Sequence, residues 1–297
     1  MLAVLAPGQG SQAPGLLTPW LDLPGVHDSV GAAGEAVGLD LLRLGTTAGE
    51  DELTPTEVTQ PLVVATALAI ARAAGLRADV VAGHSVGEWA ATALAGIIDE
   101  ATAVRLVGVR GRAMAAASAV TPTGMSAVLG GDADEVAATI ASHGLAVANV
   151  NANGQVVAAG ALDGLAALAA NAPAKARVVP LKVAGAFHTP FMEPAVAEVA
   201  AAVAEVTPDE PHTTLLSNAD GAVVTSGAEA LRRLVRQVAA PVRWDRCSDT
   251  LARLGVTHVV ELAPAGTLAA LAKRALPGVQ VVALKTPADL DVLASTP

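Results

Sequence analysis

The chain has 297 residues, of which 53% are hydrophobic and 15% are charged, and its formal net charge is −10. This composition favours a compact globular protein over a disordered chain. The negative charge argues against nucleic acid as a partner, because phosphate binding requires a cationic surface. The single cysteine, Cys247, excludes an internal disulfide framework and any metal site built from several cysteines.

No segment of the sequence carries a motif for a membrane, a metal or a cofactor. The chain enters an apolar segment directly after Met1 with no basic region before it, so we expect no signal peptide. The apolar run from Pro61 to Ala71 is shorter than the ~20 residues that a membrane-spanning helix requires. We therefore expect a cytoplasmic protein, monomeric, that neither enters a membrane nor needs a metal or a cofactor.

The first 120 or so residues alternate short β-branched runs with alanine-rich stretches, which is typical of an α/β fold with a mainly parallel sheet. The pattern predicts strands at Leu2–Leu5 and Val80–Ala82 and helices at Thr59–Ala74 and Asp99–Ser118. Asp99 is the expected cap of the last helix, because an aspartate side chain can accept hydrogen bonds from the free N–H groups of the first turn.

A different pattern begins after the turn formed by residues 121–124. It predicts the order strand, helix, strand, strand, helix, strand, which is the ferredoxin-like split unit. We therefore predict a small domain at residues 122–186, inserted into a large domain formed by residues 1–121 and 187–297. The predicted elements of the small domain are Met125–Leu129, Asp132–Ser142, Ala146–Val150, Gln155–Ala159, Leu162–Ala170 and Val178–Val183.

The large domain then resumes with alternating helices and strands. The tail after Leu284 lacks a clear pattern, and we expect it to be irregular and loosely held. The predicted elements are Pro194–Val206, Thr214–Ser217, Ala228–Val238, Val256–Glu261 and Gly266–Ala275.

The most informative segment is Gly83-His84-Ser85-Val86-Gly87, which follows a predicted strand and precedes a predicted helix. This G-x-S-x-G pattern is typical of a strained turn that presents a nucleophilic serine. The alternative is a glycine-rich loop whose serine only caps a helix. The strand before Ser85 and the helix after it favour the nucleophile.

A serine nucleophile needs a base, and the sequence holds six histidines. We favour His188, because it lies where the inserted domain returns to the large one and pockets are common at domain junctions. His84 is adjacent to Ser85, and we interpret it as a structural support of the turn. A serine and histidine pair fits acyl transfer. No aspartate stands out as a third member, so a backbone carbonyl could orient the imidazole instead.

Arg110 lies on or beside the apolar face of the second long helix. One interpretation is a solvated helix arginine. The other is a guanidinium turned inward to bind a substrate carboxylate through two hydrogen bonds.

Together these segments resemble the malonyl-CoA:acyl carrier protein transacylases of fatty-acid and polyketide synthesis. The resemblance extends over nearly the whole chain, and its specificity comes from the order and spacing of several short motifs. They are residues 7–12 (Pro-Gly-Gln-Gly-Ser-Gln), Thr59-Gln60-Pro61, residues 83–88, Arg110-Gly111 with Met114, residues 149–155, Phe187-His188, residues 217–221, Gln237 with residues 241–244, and Lys273-Arg274.

The resemblance implies an α/β-hydrolase-like core with an inserted ferredoxin-like domain. It also implies the chemical roles of several residues. Ser85 would be the acylated nucleophile and His188 the acid and base, oriented by the backbone carbonyl of Gln237. The backbone N–H groups of Gln9 and Val86 would form the oxyanion hole, and Arg110 would bind the malonyl carboxylate.

Further substrate contacts carried over from the resemblance are Gln60, Met114, Phe187 and Asn149. The implied reaction is transfer of malonyl from malonyl-CoA to the phosphopantetheine thiol of acyl carrier protein through a malonyl-serine. Phe187 would crowd an α-methyl group, although one methyl is worth only ~1–3 kcal/mol of discrimination. Trp89 and residues 263–266 depart from the common pattern of the family without touching the proposed chemistry.

Three alternatives stay open at this stage. A serine thioesterase or esterase shares the nucleophile turn, a transferase could use another carboxylated acyl group such as methylmalonyl, and a silent binding module could share the fold. Because carrier proteins are acidic, docking would require a local basic patch, although solvated helix faces also explain each candidate. The candidates are Arg232, Arg233, Arg236, Arg243, Lys273 and Arg274.

Overall fold

The structure, a computed structural model, describes residues 1–294. Its strands are β1 (Leu2–Ala6), β2 (Val80–Gly83), β3 (Thr123–Gly130), β4 (Ala146–Ala152), β5 (Gln155–Ala161), β6 (Ala176–Pro180), β7 (Thr214–Leu215), β8 (Val242–Arg243), β9 (His258–Glu261) and β10 (Gln280–Ala283). Its helices are α1 (Val26–Val37), α2 (Leu41–Thr46), α3 (Glu50–Leu53), α4 (Thr56–Ala73), α5 (Gly87–Leu94), α6 (Glu100–Val120), α7 (Ala133–Ser142), α8 (Leu162–Ala170), α9 (Glu193–Ala204), α10 (Gly227–Gln237), α11 (Trp244–Arg253), α12 (Thr267–Ala275) and α13 (Ala288–Ala294).

A parallel sheet forms the centre of the large domain. Its strand order is β10-β9-β1-β2-β7, and the neighbouring strands run parallel throughout. Every residue of β2 is buried, as expected for a strand covered by helices on both faces of the sheet. The α/β fold class predicted from the sequence is therefore confirmed.

The second sheet has the order β6-β3-β5-β4-β8. Its first four strands pair antiparallel, and with α7 and α8 they form the predicted ferredoxin-like unit. The fifth strand, β8, comes from the large domain and pairs parallel with β4. The proposed division at residues 122 and 186 stays a prediction, although the elements of the unit span Thr123–Pro180.

The apolar run from Pro61 to Ala71 lies inside α4, and all of its residues are buried. Its hydrophobicity is therefore that of a core helix. Among the helices of residues 1–294, none combines the length and the apolar character needed to cross a bilayer.

The prediction that the tail after Leu284 is irregular was wrong for residues 288–294, which form α13. Before this tail, residues 280–283 form β10, a strand that was not predicted, at the edge of the parallel sheet with Gln280 opposite His258. This strand is stabilised by hydrogen bonds to β9, and a short segment's own sequence does not show that it will find such a partner. Residues 295–297 of the predicted tail lie outside the described residues. Helices α1, α2, α3 and α11 were not predicted either.

Two glycines allow β2 and α5 to meet at a sharp turn. A Cβ atom on Gly83 would lie 2.0 Å from the backbone carbon and oxygen of Gly87. A Cβ atom on Gly87 would lie 2.3 Å from the carbonyl oxygen of Ala6 on β1. The G-x-S-x-G pattern therefore reflects a close approach of backbones that no side chain permits.

Replacing Gly83 should test this packing constraint. We expect Gly83→Ala to lower the free energy of unfolding by about 3 kcal/mol or more, because the new methyl group cannot be accommodated without moving the backbone. Chemical denaturation followed by circular dichroism measures the change. Gly49→Ala is the matched control, since φ there is −80° and its Cβ would have no neighbour within 4 Å. An equal effect of the two substitutions would contradict this account.

Candidate active site

Ser85 lies in the turn between β2 and α5 with a φ of +52°. A positive φ is strained for a residue other than glycine and persists only where the surroundings hold it. Here the Ser85 N–H donates to Asn218 Oδ1 at 2.8 Å, and the Ser85 carbonyl accepts from Gln237 Nε2 at 3.1 Å. The strain and its restraints fix the position of the hydroxyl.

The hydroxyl of Ser85 meets His188, as the sequence analysis predicted. Ser85 Oγ lies 2.7 Å from His188 Nε2, and His188 Nδ1 lies 2.7 Å from the carbonyl oxygen of Gln237. A carbonyl can only accept, so Nδ1 carries the proton and Nε2 of the neutral ring is free to accept from Ser85. The orienting group is therefore the backbone carbonyl predicted for Gln237.

His188 is held in the neutral form. Burial, with a further contribution from the positive charge of Arg110, lowers the pKa of His188 to about 3 because both disfavour the imidazolium. The ring can therefore accept a proton at neutral pH.

Arg110 is fully buried and turned inward, which excludes the solvated alternative. Its Nη1 donates to Gln60 Oε1 at 2.6 Å, and its Nη2 lies 3.3 Å from Ser85 Oγ and 3.1 Å from Gln237 Oε1. Within residues 1–294, the buried Nε has no hydrogen-bond partner. Burial lowers the pKa of Arg110 to about 9, partly opposed by the negative charge of Glu88, so the guanidinium stays charged at neutral pH.

A cavity of about 540 Å³ opens in front of Ser85 and His188. Its walls come from the loop after β1, from α4 and α6, from β4, and from α12. Arg110, Val86 and Gln237 are not among the residues that line the cavity. The predicted site residues in the wall are Gln9, Gln60, Ser85, Met114, Asn149, Phe187 and His188.

The predicted oxyanion hole consists of the backbone N–H groups of Gln9 and Val86. Gln9 belongs to the cavity wall, and Val86 is the N-cap residue of α5. Neither backbone N–H donates to another group within residues 1–294. Free donors at a helix N-terminus favour a negative charge. That both donors converge on one oxygen stays a prediction.

Sequence reasoning missed two polar residues that support Ser85. Asn218 accepts from the Ser85 N–H, as described, and donates through Nδ2 to the carbonyl of Gly83 at 2.7 Å. Glu88 is buried one turn after Ser85 and accepts from Gln237 Nε2 at 2.6 Å. The available signal for Asn218 was a polar residue directly after a predicted strand, since the carboxyl ends of neighbouring parallel strands meet at one edge of the sheet.

His84 supports the turn, as predicted, by linking it to β4 of the ferredoxin-like unit. Its Nε2 lies 2.8 Å from Asn151 Oδ1 at the end of β4, and its ring lies 5.7 Å from that of Trp244. Burial lowers the pKa of His84, which keeps the ring uncharged.

The predicted docking cations differ in their availability. Arg233 is paired with Asp220 at 2.6 Å, and Arg243 is paired with Asp245 at 2.7 Å. None of the six predicted cations lines the cavity. Within the part of the chain that the structure describes, Lys182 is the one lysine or arginine in the wall, and it pairs with Glu50 at 3.0 Å.

Comparison with known proteins places the chain in a family. The acyl transferase domain family matches residues 5–287. A malonyl CoA-acyl carrier protein transacylase from Mycobacterium tuberculosis is 54% identical over 301 aligned positions, which cover 99% of this chain and 100% of that protein.

Two solved structures give the same picture. The crystal structure of MCAT from Mycobacterium tuberculosis matches with a TM-score of 0.95 at 54% identity over 99% of each chain. A complex of a type II PKS acyl-carrier protein with its malonyl-transacylase matches with a TM-score of 0.91 at 30% identity over 98% of each chain. Since the family model spans residues 5–287 and a relative is 54% identical over nearly the whole chain, the chain belongs to the acyl transferase domain family, among the malonyl CoA-acyl carrier protein transacylases.

Proposed function

We propose that this protein transfers the malonyl group of malonyl-CoA to the phosphopantetheine thiol of acyl carrier protein, through a malonyl ester on Ser85. The names of the relatives support the reaction, and one observation carries its chemistry. Ser85 Oγ contacts His188 Nε2 on one side at 2.7 Å and the buried guanidinium of Arg110 on the other at 3.3 Å. A nucleophile and a carboxylate receptor are therefore adjacent.

In the first half-reaction, His188 Nε2 takes the hydroxyl proton as Ser85 Oγ attacks the thioester carbonyl carbon. The negative charge develops on the carbonyl oxygen, where the N–H groups of Gln9 and Val86 would stabilise it. Collapse of the tetrahedral intermediate breaks the carbon–sulfur bond. The departing coenzyme A thiolate takes the proton from Nε2, which leaves malonyl-Ser85 and neutral His188.

The second half-reaction reverses these steps with a different thiol. The phosphopantetheine thiol gives its proton to His188 Nε2 and attacks the ester carbonyl. Ser85 Oγ leaves and recovers that proton. Every step uses groups of the protein and the two thiol substrates, so the proposal needs neither a metal nor a cofactor.

Arg110 would select the carboxylate. The malonyl carboxylate lies one methylene beyond the acyl carbonyl, so an acyl group on Ser85 brings it close to Nη2. The unpartnered Nε–H and an Nη2–H lie on the same edge of the guanidinium, and such an edge binds a carboxylate with two parallel hydrogen bonds. An acetyl group has no carboxylate that could accept hydrogen bonds from this edge of the guanidinium.

The esterase alternative expects a carboxylate that orients the histidine. His188 Nδ1 instead contacts the backbone carbonyl of Gln237, and no observation favours hydrolysis. Phe187 lies in the cavity wall, where it would crowd the α-methyl group of methylmalonyl. Selection against that methyl, like the cytoplasmic location and the monomeric state, stays a prediction.

Mapping the acylated residue tests the nucleophile. We expect labelled malonyl-CoA to leave one malonyl group on the peptide that contains Ser85, and Ser85→Ala to remain unlabelled because it lacks the attacking oxygen. Mass spectrometry locates the label, and a chase should release it to the carrier thiol much faster than to water. Ser11, another serine of the cavity wall, gives the control Ser11→Ala, which should be labelled. Faster release to water would favour the esterase.

Removing the carboxylate receptor should separate malonyl from acetyl substrates. We expect Arg110→Ala to lower kcat/KM for malonyl-CoA by about 100-fold or more, because two charge-assisted hydrogen bonds are lost. Slow transfer of acetyl from acetyl-CoA should change by less than about tenfold. Arg110→Lys, which keeps the charge without the two-donor edge, should also favour malonyl less than the parent does. Equal losses for both substrates would contradict the role.

Lys182 should contribute to the binding of coenzyme A phosphates at the mouth of the cavity. It is exposed and can exchange Glu50 for a phosphate, so we expect Lys182→Ala to raise KM for malonyl-CoA about threefold at low salt, with kcat nearly unchanged. Steady-state kinetics at two salt concentrations measure this effect, which should shrink at high salt. Arg77→Ala removes a charge from an exposed residue outside the cavity wall and should leave KM unchanged. An unchanged KM for Lys182→Ala would remove Lys182 from the binding site.

A further inference from the structure

The side chain of Gln237 joins two buried charged residues. Its Oε1 accepts from Arg110 Nη2 at 3.1 Å, and its Nε2 donates to Glu88 Oε2 at 2.6 Å. All three side chains are buried. The amide therefore lies between a cation and a carboxyl group. Its oxygen faces the guanidinium of Arg110, and its NH2 group faces the carboxyl group of Glu88.

Glu88 is the carboxyl group whose charge acts on the buried guanidinium of Arg110. Within residues 1–294, no carboxylate forms an ion pair with this arginine, while the charge of Glu88 acts on it through space. The empty site thus holds one buried cation, one buried carboxyl group and a neutral His188. A substrate carboxylate on Arg110 would add a second negative charge, and burial of unbalanced charge is costly.

The other groups that face Glu88 do not compensate the second negative charge that a substrate carboxylate would add. Oε1 accepts from the backbone N–H of Asn218 at 3.2 Å, and Ser217 offers its hydroxyl. Arg233 on α10 acts only at a distance and is paired with Asp220 and Glu229. On α11, burial and the charge of Glu88 raise the pKa of the Cys247 thiol, so the thiol is uncharged.

We infer that Glu88 is a positioning residue that takes up a proton when a carboxylated acyl group binds to Arg110, and releases it when that group leaves. The inference rests on the proposed function and adds a proton to its substrate-binding step. The proton would reside on the Glu88 carboxyl, whose O–H can donate to the Ser217 hydroxyl oxygen, because a hydroxyl both donates and accepts. Gln237 and Asn218 keep their hydrogen bonds to the carboxyl oxygens in both states.

The acidity of Glu88 suits this role. Burial raises the pKa of Glu88 to about 7 in the empty site, and a second negative charge nearby would raise that pKa further. Uptake should therefore rise from about half a proton per substrate at pH 7 toward about one at pH 8. The affinity for malonyl-CoA should fall by up to about tenfold per pH unit above pH 7 and become flat below pH 6, where Glu88 is already protonated.

Calorimetry on Ser85→Ala, which binds without reacting, tests the inference. Titration with malonyl-CoA at pH 8 in two buffers of different ionisation enthalpy gives the number of protons taken up and the affinity in one experiment. Acetyl-CoA is the matched ligand, because it carries the same phosphates and lacks the carboxylate. We expect an excess uptake of about one proton for malonyl-CoA over acetyl-CoA.

Two further variants assign the proton. In the Ser85→Ala background, Glu88→Gln should abolish the excess uptake and remove the pH dependence of affinity between pH 7 and 8.5. Glu100→Gln is the control, because Glu100 is another glutamate whose pKa is raised by burial and it pairs with Arg72 far along α6 from Arg110. It should leave both measurements unchanged.

The possible outcomes are distinguishable. Tighter binding of malonyl-CoA than of acetyl-CoA without excess proton uptake would overturn this inference and leave the proposed function intact. Equal affinities for the two ligands would overturn both. If Glu88→Gln does not fold, the comparison of the two ligands in Ser85→Ala alone still decides whether a proton accompanies the carboxylate.

Discussion

A buried positive charge is the constraint on which this site depends. Arg110 is completely enclosed, and its direct protein contacts are amide and hydroxyl oxygens, from Gln60, Gln237 and Ser85. A cation in such a place is costly unless polar groups surround it. Its presence explains why polar side chains cluster in an otherwise apolar core. It also helps to keep His188 neutral, which the chemistry of the first step requires.

Gln237 combines functions that are usually divided among several residues. Its backbone carbonyl orients His188, while its side chain contacts Arg110, Glu88 and the carbonyl of Ser85. One residue at the end of α10 therefore contacts the proposed base, the proposed carboxylate receptor and the turn that carries Ser85. The carbonyl takes the place of the carboxylate of a hydrolytic triad, and the buried acid Glu88 contacts the Gln237 side chain instead of the histidine.

The fold brings these groups together through the edge of the parallel sheet. Strands β2 and β7 are neighbours and run in the same direction, so Ser85 and Asn218 emerge side by side at their carboxyl ends. The ferredoxin-like unit contributes Met125, Asn149, Asn151 and Val157 to the cavity wall. Ligands commonly bind in the crevice beyond the carboxyl ends of parallel strands, and this cavity follows that rule.

The α/β class, the ferredoxin-like unit and the turn at Ser85 could be predicted from the sequence, and the family resemblance implied the roles expected of His188, Arg110 and Gln237. These features are carried by local patterns and short motifs. The burial of Arg110, the support of Ser85 by Asn218 and Glu88, and the formation of β10 by residues 280–283 and of α13 by residues 288–294 became evident only from the folded chain. Those properties depend on contacts between segments far apart in the chain, such as the 2.6 Å hydrogen bond from Gln237 to Glu88. No local pattern encodes such a contact, because the free energy of burying a polar group depends on which partners the rest of the fold brings to it.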